Sequence, residues 1–151
     1  MEDESCFEIR DNGNFIRLTP IKISYPDATG DWDRNWVDAR IEVKAGAFTG
    51  EYVAQFRAID FQYFRKGLTL VYDNLSGVST FEDIERYLNI EIKGDGIGHF
   101  EASCIACDKP GHMANTLEFE LHFDQTQIMP MVRQLDSMLN SFPVVGNIWN
   151  K

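Results

Sequence analysis

Residues 117–146, LEFELHFDQTQIMPMVRQLDSMLNSFPVVG, constrain the fold more than any other stretch. Leu117, Phe119, Leu121 and Phe123 alternate with Glu118, Glu120 and His122. Successive side chains of a strand point to opposite sides, so this predicts a strand with one apolar face and one acidic face. At Asp124 the period changes. Ile128, Met131, Val132, Leu135, Met138, Leu139 and Phe142 recur at three- and four-residue steps, the stripe of a helix buried along one side. Asp124 and Gln127 match a capping box. Pro130 fits a helix only in its first turn, where amide hydrogens lack partners within the helix, so the regular helix is expected to begin near Thr126. Pro143 and Gly146 end it. Neither element carries a reactive group.

The same two periods organise the rest of the chain. Phe7–Arg10 and Phe15–Tyr25 read as strands joined by a turn at Asp11-Asn12-Gly13. In Trp36–Lys44, Val37, Ala39, Ile41 and Val43 share a face, with Asp38, Arg40, Glu42 and Lys44 opposite. Phe48–Arg57 alternates again, Phe48, Tyr52, Ala54 and Phe56 being expected inside. Asp60 is the expected cap of a helix whose inner face is Phe61, Phe64, Leu68, Val71 and Leu75. Gly67 weakens that helix by roughly 1 kcal/mol relative to alanine. Strands are expected at Val78–Phe81 and Leu88–Lys93. A hairpin of Ile97–Cys107 and Thr116–Phe123 follows, around the loop Asp108–Asn115. The longest candidate loop is Tyr25–Asn35, and no internal repeat is visible. These elements predict an α+β domain. Six to eight antiparallel strands run in meanders, and two amphipathic helices, one central and one C-terminal, pack on the apolar face.

A chain of 151 residues fits a single domain. Its net charge of −10 argues against nucleic acid or an anionic membrane as the partner, since phosphate binding needs clustered Lys and Arg. The same charge suits a basic partner. Met1–Ser5 is acidic with no apolar stretch behind it, so no signal peptide is expected. No run reaches the roughly 18 apolar residues of a membrane helix. Three cysteines do not suggest a disulfide framework, and a cytoplasmic location is the expectation.

Chemistry-bearing motifs are sparse. Cys104 and Cys107 with His112 approach a zinc-ligand spacing, yet strand alternation sends the two thiols to opposite faces. Asp27, Asp31 and Asp33 miss the calcium-loop register. Gly94-Asp95-Gly96 reads as a hairpin turn. No nucleophile elbow, phosphate loop or zincin motif is present. No catalytic residue, metal or cofactor is therefore expected. The candidate partner-binding residues are the outward acids Asp38, Glu42, Glu118 and Glu120, together with Trp32 and Trp36, because tryptophan is enriched at the energetic centres of interfaces.

Two blocks resemble the WapI-type immunity proteins of bacteria. The first is Gly46–Leu68 (GAFTGEYVAQFRAIDFQYFRKGL), a strand opening with G-x-F-x-G before an aromatic helix. The second is Leu117–Gly146, an L-x-F-x-L-x-F strand, Asp124-Gln125-Thr126, and a leucine-rich helix ending Phe142-Pro143-Val144. Phe81, Glu82 and Leu88–Lys93 fit the same order, so the likeness covers roughly residues 36–146. The resemblance implies a small non-enzymatic cytosolic protein, encoded beside a polymorphic or contact-dependent toxin that it binds and neutralises. Such toxins are often nucleases acting on RNA, and a basic toxin suits an acidic inhibitor. A monomer or weak homodimer is expected. The competing readings are a small-molecule-binding or enzymatic α+β domain, with a pocket near Tyr63, Trp36, His99 and Cys104, and a protein that self-associates through a strand edge or Trp32 and Trp36.

Overall fold

The eight alternating segments fall into two antiparallel four-stranded meanders, with strand orders β1-β2-β3-β4 and β5-β6-β7-β8. The computed structural model describes residues 6–146; Met1–Ser5, where no leader is expected, lies outside the described residues. The first sheet comprises β1 (Phe7–Asp11), β2 (Asn14–Ile23), β3 (Trp36–Ala45) and β4 (Phe48–Arg57). The second comprises β5 (Ser76–Glu82), β6 (Leu88–Asp95), β7 (His99–Cys107) and β8 (Thr116–Asp124). A short helix α1 (Asp31–Arg34) precedes β3, α2 (Ala58–Asn74) links the sheets, and α3 (Ile128–Ser141) follows β8. A meander followed by a helix thus occurs twice, a repetition of plan that the residues themselves do not display. Among the described residues no helix is long and apolar enough to cross a membrane.

Alternation decides what each sheet buries. Ile9, Ile16, Leu18, Ala39, Ile41 and Phe56 face inward from the first sheet, and Phe81, Ile90, Ile92, Ala102 and Leu121 from the second. Helix α2 packs against β5 and α3, and α3 lies along β1. All of these side chains belong to one continuous core. Phe81 of the second sheet stands at its centre, with ring centroids 5.3 Å from Phe56 of the first sheet. It lies 5.6 Å from Phe61 and 5.5 Å from Phe64, both on α2. Such ring pairs add about 0.5–1.5 kcal/mol each beyond the area they bury. The interstice among Phe7, Leu18, Phe61, Phe64, Phe81, Ile90 and Leu135 has no room for a water molecule. The space between sheets and helices is filled there, where a small-molecule site would have been expected.

Several local expectations shift. Helix α2 begins at Ala58, so Asp60 sits in its first turn rather than at its cap. Its carboxylate accepts from the Arg57 amide at 2.9 Å and from the Arg57 guanidinium at 2.7 Å. Asp124 caps a short 3-10 turn, Gln125–Gln127, by accepting from the Thr126 amide. Helix α3 then starts at Ile128, later than Thr126, with Pro130 in its first turn as its missing N–H requires. Phe48 is 66% exposed, because β3 and β4 run past the helices that cover the core. Gly67 has a packing reason: a Cβ there would lie 2.5 Å from Ser79 Oγ on β5. The Tyr25–Asn35 loop contains α1, a helix too short to show a period.

We predict that Phe81→Ala lowers the unfolding free energy by about 3–5 kcal/mol, the range for deleting a buried phenylalanine ring. Phe48→Ala should stay within about 0.5 kcal/mol of the parent, as for an exposed site. Urea denaturation of both variants checks this, and equal losses would contradict the placement of the core.

Candidate functional site

The six residues singled out in the sequence do not form one patch. Asp38 and Glu42 lie on the outer face of the first sheet, and Glu118 and Glu120 on the outer face of the second. Trp36 is buried, whereas Trp32 on α1 is 41% exposed; their rings meet edge to face at 6.4 Å. Three of the six gather at one end of the first sheet: Asp38, Trp32 and Trp36.

The outer face of the first sheet is internally compensated. Glu8 accepts from Arg10 and, at 2.7 Å, from Arg17. Arg17 also reaches Glu42 at 3.4 Å, and Arg40 stands 3.6 Å from Glu51 across the β3–β4 pair. Burial pushes the Glu8 carboxyl up, but hydrogen bonds and charge from Arg10 and Arg17 outweigh it and hold the group below the ordinary carboxylate range. Glu42 is therefore already engaged by Arg17.

The outer face of the second sheet is different. Strand register lines up Thr80, Glu91, Ser103 and Glu120 in one row across β5 to β8. The adjacent rows are Glu82, Asn89, Ile105 and Glu118, and Val78, Lys93, Glu101 and His122. Glu82, Glu91, Glu101, Glu118 and Glu120 thus share a face with Lys93 as its fixed positive charge. A shallow open depression of about 430 Å³ lies on this face, between Glu91, Ser103, Ile105, Glu118 and Glu120. Glu101, Glu120 and His122 bring ligand atoms within 4.8 Å of one another, all three exposed. Exposed carboxylates crowd in this way on solvated sheets without an ion, and nothing else at the spot marks a metal site.

A second concave feature sits where the Trp pair gathers. An open surface cleft of about 560 Å³ lies between the loop after β2, α1 and the β5–β6 loop, lined by Ser24–Ala28, Asp33, Trp36, Gln55 and Glu85. Asp38 lies behind its wall, accepting from Ser24 Oγ at 2.5 Å and Gln55 Nε2 at 3.3 Å. The buried side chain of Asn35 fixes the surrounding segments. It accepts from the Val145 amide and donates to the Val145 carbonyl, both at 2.8 Å, and it donates to the Asp31 carbonyl of α1. The Asn35 carbonyl accepts from Ala58, the first residue of α2. Asp83 fixes the β5–β6 loop by accepting from the amides of Tyr87 and Leu88, each at 3.0 Å. Burial pushes its carboxyl up in spite of those bonds. The Tyr87 carbonyl in turn accepts from the Tyr52 hydroxyl of β4 at 2.7 Å. Arg57 lies over the Trp32 ring at 5.3 Å with its guanidinium committed to Asp60.

Nothing in the residue pattern announces the Glu85 contribution, which arrives from the β5–β6 loop, or the bridging by Asn35. Only the turn-rich Tyr25–Asn35 stretch was a signal. Cys104 is buried and Cys107 half-exposed, both free thiols on opposite faces of β7, and burial pushes the Cys104 thiol up to about 12. His99 faces solvent beside Asp95 on the side of β7 opposite Cys104, so no surface presents that pair together.

The chain belongs to the immunity protein WapI-like family, whose model matches residues 6–143. The match extends the likeness through the N-terminal strands, beyond the residues 36–146 that carry it by motif. No curated protein matches the chain. Among solved structures it is similar to Trypanosoma brucei MRP1/MRP2, at 15% identity and TM-score 0.48, covering 90% of this chain and 84% of that one. It is also similar to the plant transcriptional regulator PBF-2, at 13% identity and TM-score 0.44, covering 96% and 91%.

Two outcomes follow. Asn35→Ala removes the three hydrogen bonds that this buried side chain makes to the Val145 and Asp31 backbone and should cost about 1.5–4 kcal/mol in urea denaturation, at about 0.5–1.5 kcal/mol per bond. A loss no larger than that of an exposed substitution would contradict the bridging role. The Glu8 interactions stabilise the folded state most above the carboxyl's unfolded pKa, and the gain is lost as pH falls through the lower folded value. The stability advantage of the parent over Glu8→Gln should therefore hold from about pH 7 to 5 and shrink below about pH 4. An advantage that grows on acidification would contradict it.

Proposed function

We propose, from membership of the WapI-like immunity protein family, that this chain is a non-enzymatic inhibitor that binds and neutralises a cognate bacterial toxin in the cytoplasm. The observation that carries the reading to a surface is the acidic face of the second sheet. Glu82, Glu91, Glu101, Glu118 and Glu120 stand there in register with little compensating charge, whereas Glu8, Glu42 and Glu51 of the first sheet are met by Arg10, Arg17 and Arg40. A rigid antiparallel sheet holds these carboxylates without needing to order them on binding, which lowers the entropic cost of association. Exposed Ile105 and Val78 among them supply apolar contact. A partner for this face is basic, and a toxin acting on RNA carries the cationic surface that phosphate binding demands. Complementary charge of this kind raises the association rate more than it slows dissociation.

The test is kinetic. The double variant Glu118→Lys/Glu120→Lys should bind the purified toxin domain with an association rate reduced about tenfold or more at low salt, the hallmark of lost steering. Added salt should slow the parent and narrow the gap, since screening acts on exposed charges. The variant should unfold within about 0.5 kcal/mol of the parent, because both side chains face solvent. An unchanged association rate would place the toxin elsewhere.

A further inference from the structure

Glu8, Glu42 and Glu51 on the outer face of the first sheet are met by arginines of the same chain. The cleft at the end of that sheet breaks the pattern. Asp27, Asp33 and Glu85 are exposed around its mouth, and no side-chain hydrogen bond or ion pair engages their carboxylates among the described residues. Among the nearby cations, Arg34 stands 3.6 Å from Asp31, and one guanidinium nitrogen of Arg57 is held by Asp60 while the group lies over Trp32. Tyr25 and Trp36 add aromatic wall. The three acids come from the loop after β2, from α1 and from the β5–β6 loop. Each segment is separately anchored, through Ser24–Asp38, Asn35 and Asp83 respectively. The volume, about 560 Å³, lies within the range of roughly 300–1,000 Å³ typical of ligand sites.

Carboxylates beside an aromatic wall form a receptor for a planar cation. A guanidinium can stack on a ring while its fork of N–H donors meets carboxylate oxygens, which an ammonium does less well. We infer that the cleft lined by Tyr25, Asp27, Asp33, Trp36 and Glu85 is a pocket for an arginine side chain presented by a protein partner. Identifying that partner with the toxin rests on the proposed function; recognition of the guanidinium does not. The cleft would then give a specificity anchor distinct from the acidic sheet face, which acts on the partner's overall charge.

The probe is Nα-acetyl-arginine amide, titrated into the full chain while the indole N–H resonance of Trp36 is followed by NMR. Nα-acetyl-citrulline amide, of nearly the same shape but uncharged, is the control. Saturable movement of the Trp36 signal by the arginine compound, with binding at least about fivefold weaker for citrulline, is expected from loss of the charge-assisted contacts. Asp27→Asn/Glu85→Gln should weaken arginine binding by about fivefold or more, whereas Glu118→Gln/Glu120→Gln on the other face should leave it unchanged. No saturable shift, an equal response to citrulline, or an undiminished response in the Asp27/Glu85 variant would overturn the assignment. Because no toxin enters this experiment, a failed inhibitor reading and a failed arginine pocket give separate results.

Discussion

The contact on which the rest of this fold depends is the packing of Phe81 against Phe56, Phe61 and Phe64. Each meander alone has one apolar face and would leave it in water. Phe56 sits at the end of the first sheet, Phe61 and Phe64 on the helix that follows at once, and Phe81 on the first strand beyond that helix. The chain therefore closes two sheets onto one core within a short, contiguous stretch. Helix α3 then adds its stripe of Ile128, Met131, Val132, Leu135 and Met138 to the same core. Once these apolar faces are spent on each other, the outer faces of both sheets are free to carry charge.

The two outer faces use that freedom differently. On the first, register places Arg17 opposite Glu42 and Glu8, so charge is consumed within the sheet. On the second, Glu91 and Glu120 flank Ser103 in one row, and Glu82 and Glu118 end the row beside it. Like charges on neighbouring strands cost a little stability and gain a long-range field. A protein whose task is to be reached quickly by a basic partner has a use for such a field. The cleft beside Trp36 is the counterpart at short range, where uncompensated carboxylates meet an aromatic wall.

Much of this was legible in the sequence because local periods are decided locally. The strand of Trp36–Lys44, the inner face of α2 and the stripe of α3 each follow from the spacing of their own apolar residues. The division into two sheets was not, since alternation says which face of a strand is buried and not which strand it joins. Neither was α1, because four residues complete barely one turn. Among the candidate residues, the outward direction of Glu118 and Glu120 follows from parity, whereas the pairing of Glu42 with Arg17 depends on the β2–β3 register. The cleft is the least legible feature: Asp27, Asp33 and Glu85 come from three separate segments in two halves of the chain and line it together only in the folded state.

If this chain neutralises a toxin by binding it, bacterial growth reports that neutralisation in the cell. The C-terminal domain of the product encoded immediately upstream would be expressed with the parent chain, with Glu118→Lys/Glu120→Lys, and alone. The domain alone should arrest growth, the parent should restore it, and the charge-reversed protein, though folded, should restore it poorly. A harmless domain, or toxicity that the parent leaves untouched, would rule out toxin neutralisation by this chain.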